Sequence, residues 1–178
     1  TADAMEVLTN VNLSLDEMRK VVQKESGCIA WGGSMKLSPA DDIIIRVERA
    51  LDVDSEAQMI ASILSKKAAA GSTHVLIDIP IGKTAKVRNL ESAKRLKKML
   101  EYCGNHVGLK VEVYFSSGKE PIGRGVGPAL EACDLLAVLQ NKPDAPKDLL
   151  EKSLLLSAKL ITLASAKPFK QSYALAKQ

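Results

Sequence analysis

The sequence predicts an α/β fold, a largely parallel sheet covered by helices, and three observations carry that prediction. The stretch Val75 to Ile81 is apolar on both faces apart from Asp78, which suits a strand in the middle of a parallel sheet with both faces covered. A second strand pattern, Leu109 to Phe115, alternates Lys110, Glu112 and Tyr114 with apolar neighbours. A helical pattern separates the two, and strands joined through a helix run parallel. Only three or four strands are visible, few for a complete doubly wound sheet, so partner strands are expected outside this chain.

In chain order, Ala2 to Leu8 reads as a short helix. Ser14 opens another. With Glu17 it forms a capping box, and Leu15, Met18, Val21 and Val22 make an apolar stripe. Cys28 to Trp31 is a short apolar run, expected as a strand end, broken by Gly32 and Gly33. Ser38 and Pro39 have the form of an N-cap followed by proline at the first helical position. The β-branched run Ile43 to Val47 leaves strand open as an alternative there. Ser55 caps a helix over Glu56 to Ala70, and Gly71 ends it. Asn89 caps Leu90 to Cys103, closed by Gly104. A Gly-rich loop, Ser116 to Gly127, leads into a helix over Pro128 to Leu139. After a proline-bearing loop, Asp148 to Ala164 is a long apolar helix, and the last ten residues read as less ordered.

The 178 residues suggest one domain or a piece of a larger one, and 46% hydrophobic with 26% charged residues is ordinary for a globular chain. Aromatic residues are only 3%, so the core must be Leu, Ile, Val and Ala, and a stacking platform for single-stranded nucleic acid is disfavoured. The net charge of +4 is spread over scattered lysines. It suits an anionic ligand but does not call for nucleic acid. Cys28, Cys103 and Cys133 have neither CxxC nor zinc spacing and read as reduced thiols. With no signal-peptide pattern and no apolar run of about 18 residues, no membrane partner and a cytoplasmic location are expected. The chain starts at Thr1 rather than Met, inside what reads as a helix start, so a segment of a longer protein is expected.

The clearest chemical signal is Ser62 with Lys66. Residues four apart stack on one helix face, so a hydroxyl and an ammonium project together from an otherwise apolar helix. The alternative is a hydroxyl bonded back to its own helix and an ordinary solvated lysine. Arg46 and Arg49 would share a face of a helix, either for a ligand or for ion pairs with Glu48, Asp52 or Asp54. Asp3 stands in a first turn, where an acid complements the helix dipole. Gly123-Arg-Gly-Val-Gly-Pro128 lies between a strand and a helix, where phosphates bind. Pro128 breaks the dinucleotide pattern, and both a structural turn and ligand contact stay open. His74 and His106 lack metal-partner spacing. Asp78 is read as an acceptor of backbone hydrogen bonds near a strand end.

Several motifs occur together in one order: Thr1-Ala-Asp-Ala-Met-Glu-Val-Leu8, Cys28-Ile-Ala-Trp-Gly-Gly33, Leu37-Ser-Pro-Ala-Asp-Asp42, Arg46-Val-Glu-Arg49, Ala61-Ser-Ile-Leu-Ser-Lys-Lys67, Val75-Leu-Ile-Asp-Ile-Pro-Ile-Gly82 and Gly127-Pro-Ala-Leu-Glu131. Over nearly its whole length the chain resembles the thymidine phosphorylase family, within it the branch that includes AMP phosphorylases. The resemblance implies a nucleoside phosphorylase or phosphoribosyltransferase-like fold. It places the start of an α/β-domain segment at 1–38, part of a small helical domain at 39–71 and the phosphate-side α/β domain at 72–178. It implies phosphorolysis, in which nucleoside or nucleoside monophosphate plus phosphate gives free base and pentose 1-phosphate, or ribose 1,5-bisphosphate for a monophosphate. Arg49, Ser62 and Lys66 are implied as the base contacts, with Arg46 the alternative to Arg49. Asp3 is implied as the acid that protonates the leaving base, and Glu131 matches a monovalent-cation ligand. Inorganic phosphate is the implied co-substrate, no cofactor is expected, and the parent is expected to be a homodimer. The family's phosphate-binding segment and C-terminal domain have no counterpart in these residues, so the chain alone is expected to be inactive. The rival readings are an anthranilate-type phosphoribosyltransferase and a non-catalytic nucleotide-binding module.

Overall fold

A computed structural model describes residues 2–33, 38–51 and 55–178, with the side chains at positions 42 and 49 outside the description. The elements are α1 (Ala2–Glu6), α2 (Leu15–Glu25), α3 (Pro39–Leu51), α4 (Glu56–Ala69), β1 (His74–Ile81), α5 (Leu90–His106), β2 (Lys110–Ser117), α6 (Pro128–Leu139), α7 (Lys147–Ser165) and α8 (Phe169–Ala176). The fold is α/β, as the sequence predicts. The chain divides into two compact units, one of Thr1–Pro39 with Ile122–Leu150, the other of Ala40–Pro121 with Glu151–Gln178.

In the first unit α1 packs on α6. Ala4 and Met5 of α1 and Ala132 and Ala137 of α6 are buried. The predicted capping box opens α2: the Ser14 hydroxyl accepts from the Glu17 N–H at 3.3 Å, and the Glu17 carboxylate accepts from the Ser14 N–H at 2.8 Å. The stripe forms, but Leu15, Val21 and Val22 are exposed and no residue of α2 is buried. The expected strand at Cys28 to Trp31 is absent. Trp31 N–H donates to the carbonyl of buried Val11 at 2.7 Å, and no ladder follows.

The second unit holds the sheet. Among the described residues it has two strands, β1 and β2, which pair in parallel from His74 opposite Lys110 to Ile81 opposite Ser117. Period-2 alternation gives the sheet two unlike faces. Val75, Ile79, Leu109 and Val113 are buried with Ile60 and Leu64 of α4 and Ala93, Leu96 and Leu100 of α5. On the other face lysines of α7 reach polar strand residues. Lys152 Nζ lies 2.6 Å from Asp78 Oδ2 and 3.1 Å from Ser116 Oγ. Lys159 Nζ stands 4.9 Å from the centre of the Tyr114 ring. Asp78 is therefore paired with a lysine rather than with backbone N–H groups.

One alternative left open by the sequence resolves, and two expectations at element ends are corrected. Ile43 to Val47 is helical within α3. Its apolar positions 43, 44, 47 and 51 recur at the 3.6 period, and in the structure they are exposed. α5 does not stop at Gly104 but continues to His106. A Cβ on Gly104 would collide with the Val111 side chain, so the glycine lets β2 approach the helix closely. The C-terminal residues are not loose: Phe169–Ala176 is helix α8, directly after Pro168, with Ser172 fully buried.

Candidate functional site

The site centres on one face of α4. Ser55 caps that helix, its hydroxyl accepting from the Gln58 N–H at 3.3 Å. From there Gln58, Ser62 and Lys66 recur every fourth residue and form a single polar ridge. All three converge on one carboxylate, that of Asp41 in the first turn of α3. Ser62 Oγ donates to Asp41 Oδ2 at 2.8 Å, and Lys66 Nζ lies 2.8 Å from the same oxygen. Gln58 Nε2 donates to Oδ1 at 3.1 Å.

Asp41 is 4% exposed, whereas the Lys66 side chain is 39% exposed. Burial pushes the Asp41 pKa up, but the bonds from Lys66, Ser62 and Gln58 together outweigh it, so the net displacement is below the ordinary carboxylate value. The carboxylate is thus charged, satisfied on both oxygens and placed at the positive end of its helix. An ammonium carries three N–H donors. One points at Asp41, which leaves this half-exposed group able to serve a second acceptor.

The structure thus brings Ser62 and Lys66 together, as their spacing predicts, and adds a partner the spacing did not reveal. Asp41 sits inside the Leu37-to-Asp42 motif, but its bond to a helix more than fifteen residues away is tertiary. Arg46 is exposed on α3. The side chain of Arg49 lies outside the described residues, as do Asp52 and Asp54, which the sequence offered as ion-pair partners. Asp3 is exposed in the first turn of α1 and belongs to the other unit.

In that unit the Gly-rich loop resolves as a self-satisfied turn. Asp134 Oδ2 accepts from the Arg124 and Gly125 N–H groups at 2.6 and 2.7 Å. Asp148 accepts from the Gly123 N–H at 3.0 Å, and Glu131 from the Gly127 N–H at 3.1 Å. The bonds from Gly125 and Arg124 hold the Asp134 pKa below the ordinary value. The donors that would cradle a phosphate are occupied by the chain's own carboxylates. Gly127, at φ +95°, adopts a backbone that other residues rarely reach, and Pro128 starts α6 directly after it. Glu131 thereby serves a turn N–H. Among the described residues no group of three or more His, Cys, Asp and Glu side chains is placed to hold a metal ion.

No family model matches the chain. Individual proteins do. One from Hahella chejuensis named "Putative thymidine phosphorylase" is 60% identical over 163 residues, 92% of this chain and 32% of its own length. "Putative thymidine phosphorylase 2" of an Acidovorax species is 58% identical over 168 residues, 94% of this chain and 33% of its own. A "Putative thymidine phosphorylase" of Ralstonia nicotianae is 59% identical over 166 residues, 93% of this chain and 33% of its own. Over 92–94% of its residues this chain is thus similar to proteins named as putative thymidine phosphorylases. It spans about a third of the length of the relatives it matches. Among its described residues no helix is long and apolar enough to cross a membrane.

Proposed function

We propose that this segment supplies the base-recognition face and the proton-donating acid of a nucleoside phosphorylase, and that the phosphate-binding part lies outside these 178 residues. In phosphorolysis a phosphate oxygen bonds to C1′ of the pentose as the C1′–N bond breaks. The bonding electrons leave on the base, which then takes up a proton. The transition state carries positive charge on the sugar and negative charge on the base. Donors aimed at the base stabilise that negative charge. Lys66 supplies a cation and Arg49 a guanidinium, with Arg46 as the alternative, while Ser62, whose proton goes to Asp41, meets the base through its hydroxyl oxygen. Asp3 delivers the proton to the leaving base. Residues 39–71 belong to the small helical domain in this reading, and 1–38 and 72–178 to the α/β domain.

The observation that carries the reading is the polar ridge on α4, with Ser62 and Lys66 converging on Asp41 at 2.8 Å, in a chain 56–60% identical to proteins named "Putative thymidine phosphorylase". The cytoplasmic setting, read from the sequence pattern, and the homodimer and absence of any cofactor beyond the co-substrate phosphate, read from the family resemblance, are part of the proposal. The competing reading treats the same ridge as a purely structural clamp between α3 and α4. Phosphate-dependent base release separates them. Thymidine, uridine, AMP and CMP are compared in a chain of the relatives' length that contains this segment. Release from thymidine or uridine, lost in Lys66→Met, supports the pyrimidine-nucleoside reading. Release from the monophosphates supports the AMP branch. Release unaffected by Lys66→Met and Ser62→Ala favours the clamp.

A further inference from the structure

We propose that Asp41 is a positioning residue for base recognition, holding the Lys66 ammonium and the Ser62 hydroxyl in the orientation that meets the base. The inference deepens the reading above and rests on it. Both side chains bond to one oxygen of one carboxylate, each at 2.8 Å. A lysine on a flexible four-carbon stem otherwise samples many rotamers, and each must be given up on binding. A contact to a fixed anion removes that freedom before the ligand arrives, which is the general value of preorganisation. Asp41 is itself fixed: it is buried, and its second oxygen is taken by Gln58 at 3.1 Å. The gradient of exposure, from 4% at Asp41 to 39% at Lys66, places the anion behind the ammonium and leaves the ammonium accessible.

The arrangement also sets hydrogen-bond roles. A serine hydroxyl has a single proton, and here it is directed at Asp41. Ser62 therefore meets a ligand with a lone pair and Lys66 meets it with an N–H. A heterocycle edge that offers an N–H beside an acceptor atom fits this pair.

The test compares Michaelis constants in the chain of the relatives' length. Asp41→Asn is expected to raise KM for the nucleoside about tenfold, the scale of one charge-assisted hydrogen bond, with KM for phosphate unchanged. A loss of folded enzyme would instead lower kcat and leave both KM values alone. In a Ser62→Ala/Lys66→Met background the Asp41→Asn change should have no further effect on KM, because Asp41 acts through those two groups. Where thermal melting shows that Asp41→Asn does not fold, Gln58→Met leaves the ion pair intact but frees its carboxylate, and about a twofold to threefold rise in nucleoside KM is expected. An unchanged nucleoside KM in the Asp41 and Gln58 variants, or an Asp41 effect that persists in the double background, overturns the positioning role. If Ser62→Ala and Lys66→Met are themselves silent, the base-contact reading fails first and the positioning role falls with it. If they are costly and Asp41→Asn is not, only the positioning role is lost.

Discussion

Lys66 and Asp3 are asked to do different things, and single substitutions separate them. Removing one donor that faces developing negative charge typically costs about 100-fold to 1,000-fold in kcat, so Lys66→Met should fall in that range in single-turnover base release. Asp3→Asn removes a proton source and should cost about 100-fold or more. That loss should shrink for a base that departs without protonation, such as one bearing an electron-withdrawing group. Equal losses for good and poor leaving bases would remove the acid role from Asp3. Asp41 has a separate signature in stability. Its folded pKa lies below the ordinary value of 3.8, so protonation favours the unfolded chain. The contribution is complete above the ordinary value and fades as pH falls through the lowered one. Urea midpoints should therefore be level from pH 7 to about pH 5 and drop below about pH 4. Asp41→Asn should show a shallower drop, the remainder coming from groups such as Asp134, which is displaced the same way. An identical acid profile in the variant would contradict the Asp41 assignment. At this scale the sequence displayed the Ser62–Lys66 pair but not its anchor or its third member, Gln58. Positions 62 and 66 share a face by helical geometry alone, whereas Asp41 joins them only after α3 and α4 pack. The Gly-rich loop stayed ambiguous for the same reason, since the acids that fill its donors are Glu131, Asp134 and Asp148, the farthest of them 25 residues from its donor.

At the scale of elements, α4 presents the ridge and its start is set by Ser55. Ser55→Ala should cost about 1 kcal/mol of stability and raise hydrogen exchange in the first turn of α4. Gly104 is the sharper case. A Cβ there runs into Val111, and overpacking of this kind costs about 1–3 kcal/mol. Gly104→Ala should lower the urea midpoint, and Gly104→Ala combined with Val111→Ala should recover part of the loss. No loss in the single variant would mean that β2 and α5 do not approach as described. Helix starts were readable in the sequence because caps are local: Ser14, Ser55 and Asn89 all act as N-caps. Helix ends and short strands were less so. Gly104 resembles a stop signal but serves a close contact. Cys28 to Trp31 has strand composition without a strand to pair with, and α8 follows Pro168 in a stretch too short to announce itself.

On the whole-molecule scale, the proposed base contacts Ser62 and Lys66 fall in one unit and the proposed acid Asp3 in the other, in a chain of about a third of its relatives' length. Phosphorolysis depends on holding base, sugar and phosphate in one geometry, and the gain from such positioning is large. These 178 residues alone should therefore release no base from nucleoside and phosphate. The direct test is to assay base release by the isolated chain and by the chain of the relatives' length, under the same phosphate concentration. The account predicts phosphate-dependent release only from the longer chain, abolished or strongly reduced by Lys66→Met. Release by the isolated chain, or release from the longer chain that Lys66→Met leaves intact, would contradict it.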